Sequence, residues 1–145
     1  MRAPDRLECV RLLQYPGDAT GSDGSADEGS ERTASDGTVL ATDVDVADSF
    51  VSQTRGLMGK RRLPDSYALV FRFDTTKTRD VHMLFVFVSL DVLWIADGVV
   101  TRVERLRPWR GFAREEADCI VELPAGTADG VEPGDRIVLE DETTA

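Results

Sequence analysis

DVLWIADGVVTRVERL, residues 91–106, decides the fold class. Two runs rich in Val, Leu, Ile and Trp flank Asp97-Gly98. An Asp-Gly pair between such runs is the strongest short-range hairpin signal, because glycine supplies the positive φ of a tight turn at no steric cost. Residues 91–95 therefore read as one strand and residues 99–106 as its antiparallel return. Upstream, YALVFRF at 67–73 is rich in β-formers, residues 74–80 form a polar connection, and residues 81–88 are a further strand candidate divided from 91–95 near Ser89. The stretch 81–96 is nearly all apolar, yet it is shorter than the roughly 20 residues a membrane helix needs and it carries His82, Ser89 and Asp91. Buried strands explain it better.

Farther out, VLATDVDVA at 39–47 alternates as a strand does. Asp48-Ser49 can cap a short helix through about Leu57, with Gly59 just past its end. Two more strands, 119–123 and 136–139, flank PAGTADGVEPGD, which is dense in turn residues. About seven short strands with one or two short helices predict a mainly β fold, a compact barrel or jelly-roll-like sandwich. Residues 1–15 are an N-terminal segment of strand-like or short-helical content. Residues 16–37 are an acidic Gly/Ser-rich linker or loop with almost nothing to bury, residues 38–141 the β domain, and 142–145 a tail.

The chain has 145 residues, enough for one domain that buries roughly two-thirds of its unfolded surface. Its 27 acidic against 17 basic residues give a net charge of -10. Only Lys60 and Lys77 are lysines, the other 15 basic residues being arginines, and aspartates outnumber glutamates 17 to 10. This bias points to a salt-adapted surface, with an ordinary acidic protein as the alternative: short carboxylates hold water and cations, while long lysine stems add apolar area that concentrated salt drives out of solution. The same charge makes duplex nucleic acid an unexpected partner. Cys9 and Cys119 lie far apart, with no CxxC and no neighbouring histidine, so neither a metal site nor a redox motif is indicated, and no cofactor is expected. The opening MRAPDRLECV lacks the apolar core of a secretory signal, and the chain is expected in the cytoplasm, away from membranes, as a monomer or weak homodimer.

Several phrases in order resemble the family called domain of unknown function 192: VADSFVSQTRGLMGKRRLP at 46–64, HMLFVFVSLDVLWIADGVV at 82–100 and VELPAGTADGVEPGDRIVL at 121–139. The RGLM phrase at 55–58, the LD pair at 90–91, the ELPAG phrase at 122–126 and the GD pair at 134–135 are collectively specific. The resemblance implies a compact β-barrel or jelly-roll-type domain and no particular activity. Where the family tends to read Trp-Met-Lys-Asn-Thr, this chain has His82, Met83, Leu84, Phe85 and Val86. Any site built from those polar residues is missing here.

Three constellations could carry chemistry. His82, the only histidine, would act as a general base if Asp91 or Glu122 tuned it, although a lone histidine among apolar neighbours is usually structural and no nucleophile accompanies it. Arg55, Asp91 and Glu122 could meet around a cleft, the arginine fork holding an anionic ligand, or could form a semi-buried ion-pair network. Five arginines, 102, 105, 107, 110 and 114, interleave with Trp109 and Phe112 within thirteen residues. With Arg107, Trp109 and Arg110 at its centre, this loop could clamp an anionic ligand, single-stranded nucleic acid or an acidic partner. It could equally be consumed by Glu104, Glu115 and Glu116. The leading expectation is a non-enzymatic small-ligand-binding or accessory protein. Its rivals are an enzyme acting on a small anionic or carbohydrate-like substrate, and a protein or nucleic-acid adaptor using the Arg/Trp loop.

Overall fold

Asp97 and Gly98 both take left-handed backbone, at φ 52 and 77, the pair of positive values that a primed two-residue turn requires. They join β5 (Leu90–Ala96) to β6 (Val99–Leu106) in antiparallel register, with Leu90 opposite Leu106 and Ala96 opposite Val99. The computed structural model describes residues 10–17, 37–47, 62–83 and 85–141. Around the hairpin stand β1 (Val10–Tyr15), β2 (Thr38–Ala41), β3 (Asp43–Ala47), β4 (Tyr67–His82), β7 (Phe112–Pro124) and β8 (Arg136–Asp141). All eight lie in one sheet of order β2-β1-β8-β6-β5-β7-β4-β3, in which β3 and β4 pair in parallel and the other pairs are antiparallel. The ladder ends at β2 and β3, which are separated in the chain by Thr42 alone. The sheet therefore curls until its two edges meet through the covalent chain, although no ladder closes it among the described residues.

β5 lies between β6 and β7, and its residues are buried from Leu90 through Ile95. Covered on both faces, it shows a continuous apolar run rather than an alternation. Alternate residues of β4, β5 and β7 supply two apolar layers. Val70, Leu93, Ile95, Val121 and Leu123 join Leu12, Leu40, Val44 and Val100 on one face. Leu69, Phe71, Leu90, Val92, Trp94 and Ile120 join Met83 and Val86 on the other. Each fully buried large side chain contributes about 1.5–3 kcal/mol, so the two layers dominate stability.

The fold is mainly β, as expected, with eight strands rather than about seven, and two of them are long. The polar stretch 74–80, which reads as a connection from sequence, is the middle of the 16-residue β4. Lys77 to His82 pair with Ala117 to Phe112 of β7 across a register shift after Arg72. Apolar patterning reports burial, and here the hydrogen-bonded ribbon continues past the edge of the core into water. The β-branched Thr75, Thr76 and Thr78 are the local sign that the strand goes on. Conversely, the strand expected over 81–88 ends at His82, because Met83 turns the chain. Its amide donates to Gly111 O at 2.9 Å and its carbonyl accepts from Val86 and Trp109 at 3.0 Å. The helix expected near 49–57, most of the acidic stretch 16–37 and residues 1–9 of the N-terminal segment lie outside the described residues, while the rest of that segment forms β1, held between β2 and β8.

Candidate functional site

Asp91, at the start of β5, is 2% exposed and fully engaged. Arg105 donates to it from Nε at 2.8 Å, and the amides of Gly126 and Ala128 donate at 2.9 and 3.0 Å. Arg105 also pairs with Asp129. The Asp91 side chain thus anchors the turn after β7, whose Gly126 sits at φ 98, a value costly for any residue with a Cβ. Asp135, of the GD pair, anchors the next turn in the same way. It accepts from Gln14 Nε2 at 2.7 Å and from the amides of Gly17 and Glu132 at 3.1 and 2.9 Å. Burial pushes its carboxyl up, but those three hydrogen bonds outweigh it and leave the group below the usual carboxylate range. These two motif carboxylates are structural anchors.

The structure does not bring His82, Asp91 and Glu122 together. Val92 and Leu69 stand opposite Glu122, so Glu122 faces the Trp94 layer, whereas Asp91, opposite Leu123, faces the other side of the sheet. His82 is exposed at the far end of β4, opposite Phe112, ten residues along β7 from Glu122. That is a separation of roughly 30 Å at 3.3 Å per residue. Arg55 lies outside the described residues. Glu122 is 9% exposed with no hydrogen bond or ion pair among the described residues, and burial pushes its carboxyl up to about 7. Cys119 is half-buried and free, and burial pushes its thiol up to about 12, which makes it a poor nucleophile.

The Arg/Trp loop divides sharply. Arg102 pairs with Glu104 at 3.2 Å, Arg105 with Asp91 and Asp129, and Arg114 with Asp80 at 2.6 Å. Arg107 and Arg110 are not fully buried and have no carboxylate partner among the described residues. They flank Trp109, which is 43% exposed and touches Phe85 and Phe87 edge-on, with ring centroids 5.2 Å apart in both pairs. Phe85 is 53% and Phe112 57% exposed. The phenylalanines of this platform escape a reading of the sequence that places residues 81–88 in a buried strand. The available signal is Phe85 itself, an aromatic standing where the resembling family carries a polar residue.

Backbone strain holds the platform up. Phe85 and Trp109 occupy the left-handed region at φ 61 and 64. Such a conformation costs an L-residue about 1–2 kcal/mol and persists only where surrounding structure imposes it. Here Met83 and Gly111 impose it through the hydrogen bonds that sew the two loops together. A Cβ on Gly111 would lie 2.7 Å from both Leu106 Cβ and Met83 Cγ. Gly111→Ala is therefore expected to destabilise the protein by roughly 1–3 kcal/mol through overpacking, measurable by urea denaturation.

The model of the domain of unknown function 192 family (DUF192), described as uncharacterized ACR, matches residues 31–139. A UPF0127 protein of Thermococcus sibiricus is 36% identical over 110 residues, covering 72% of this chain and 70% of its own length. A UPF0127 protein of Pyrococcus horikoshii is 35% identical over 101 residues, covering 66% of this chain and 85% of its own. Among solved structures, a Sinorhizobium meliloti protein provisionally named a transcription regulator superposes with a TM-score of 0.67 at 24% identity, covering 91% of this chain and 95% of its own. A Novosphingobium aromaticivorans protein of unknown function gives 0.66 at 17%, covering 90% and 83%. At these identities the two structures speak for the fold alone.

Proposed function

The chain belongs to the DUF192 family, and on that footing we propose that this member is a non-enzymatic accessory domain that docks an acidic, partly apolar protein segment on the Phe85–Phe87–Trp109 platform. The observation that carries this reading is the exposed aromatic cluster presented on strained backbone between Arg107 and Arg110. Aromatic rings with flanking arginines are the residue types that dominate binding energy at protein interfaces. The two arginines favour an anionic partner short enough to stay on the platform, because the net charge of -10 repels any polyanion, peptide or nucleic acid, that extends over the rest of the surface. A cytoplasmic setting suits such a role, and among the described residues no helix is long and apolar enough to cross a membrane.

Phe85 supplies the test. The resembling family tends to have asparagine at this position, and asparagine tolerates the left-handed region far better than phenylalanine. Phe85→Asn is therefore expected to leave the melting temperature unchanged or raised, through relief of roughly 1 kcal/mol of backbone strain. The same variant should weaken binding of a labelled peptide of alternating Asp and Leu at least tenfold, and the double variant Arg107→Glu, Arg110→Glu should abolish it. Fluorescence anisotropy against that peptide and against an oligouridylate decides the matter. Tighter binding of the oligouridylate, or peptide binding indifferent to these variants, would overturn the reading.

A further inference from the structure

The sheet face that carries Trp94 also carries a charge arrangement unrelated to the aromatic platform. Strand register sets side by side Asp45, Leu69, Glu122, Val92 and Glu104, each from the next strand across β3, β4, β7, β5 and β6. One row along lie Asp43 and Tyr67, again neighbours in register. The Tyr67 hydroxyl donates to Asp45 Oδ2 at 3.0 Å. Burial first, then Asp45, and then the charges of Glu122 and Asp43 hold this phenol well above its ordinary range. Glu122 is nine-tenths buried, with no partner among the described residues, and its charge is felt at the Tyr67 hydroxyl. On this face β5 offers it only Leu90, Val92 and Trp94, and the charged groups of β6 on the same face are Glu104 and Arg102, already paired with each other at 3.2 Å, while Arg105 is held by Asp91 and Asp129 on the other face.

A carboxylate so buried is stable as an anion only beside a counter-charge. Among the described residues no trio of carboxylates is gathered closely enough to ligate a metal ion directly, and the walls beside Glu122 are Leu69 and Val92. An organic cation satisfies both conditions, its head facing the carboxylates and its stem the apolar walls. We infer that Glu122, Tyr67 and Asp45 form a binding site for a ligand with an ammonium or guanidinium head on an apolar stem. Binding favours the ionised carboxylate of Glu122, so it expels a proton whenever that group starts protonated.

Isothermal calorimetry with n-butylguanidinium, against the neutral isostere N-butylurea, tests this on the full chain in buffers of different ionisation enthalpy. At the pH where Glu122 is half-ionised, butylguanidinium is expected to bind saturably with release of about half a proton, while the urea does not bind. Glu122→Gln should weaken binding at least tenfold and eliminate proton release. Tyr67→Phe should weaken binding and keep the release. Absence of saturable binding, equal binding of the urea, or proton release that survives Glu122→Gln would overturn the assignment.

Discussion

Asp91→Ala is expected to lower stability by about 3–5 kcal/mol, the range for removing one partner of a buried, hydrogen-bonded charge pair. A single truncation releases several contacts together. Arg105 loses the carboxylate that its Nε meets at 2.8 Å, and the amides of Gly126 and Ala128 are left without this acceptor. The turn from 125 to 130 is also cut loose from the start of β5, since all three donors converge on the same carboxylate. A fall in melting temperature of roughly 10–20 °C should accompany it. Arg105→Ala should cost less, because that side chain is half-exposed and water can replace it. If Asp91→Ala melted together with the wild type, the anchoring role would be untenable, and a functional role for this motif residue would need to be sought again.

Glu122→Gln is expected to act in the opposite direction and with a distinctive pH dependence. The carboxyl is pushed up from 4.5 to about 7 by burial, so the folded state holds its proton more tightly than the unfolded chain does. A raised pKa means that stability is fully present below 4.5 and is lost as pH rises through about 7. At 1.36 kcal/mol per unit, ionising this group in the fold forfeits about 3 kcal/mol above that range. Glutamine mimics the protonated form in shape and charge, so variant and wild type should be nearly equally stable at pH 4.5. The variant should pull ahead by about 3 kcal/mol once the pH exceeds 7. Asp80 and Asp135, both held below the usual range, contribute stability that is lost on acidification, but they do so in both proteins and cancel from the difference. Denaturation midpoints at constant KCl across this interval measure it. A difference that did not change with pH would refute the buried, uncompensated state of Glu122.

These two carboxylates show how far the chain can be read and where such reading stops. Both stand at motif positions that suggest a shared cleft with His82 and Arg55. The LD and ELPAG phrases mark real junctions, since Asp91 ties the start of β5 to the turn that follows β7. Whether the two meet, however, depends on which residue of β7 stands beside which residue of β5. Register of that kind is set by packing between distant segments, and an offset of one residue sends a side chain to the opposite face. The observed register does so for Asp91 relative to Glu122. The Arg/Trp loop poses a choice between internal pairing and an open surface, and the structure divides it: Arg102, Arg105 and Arg114 are paired, while Arg107 and Arg110 stand beside the open rings.

What neighbouring residues control is legible along the chain: the left-handed turn at Asp97-Gly98 and the apolar run of β5, beside the acidic, lysine-poor composition. Long-range packing is what makes residues 74–80 continue a strand, forces Phe85 and Trp109 into the left-handed region and out toward solvent, and buries Glu122 without a partner among the described residues. Turn preference and hydropathy belong to neighbours along the chain. Strand pairing, imposed strain and desolvation are created by residues far apart in sequence, and appear only when the sheet brings them together.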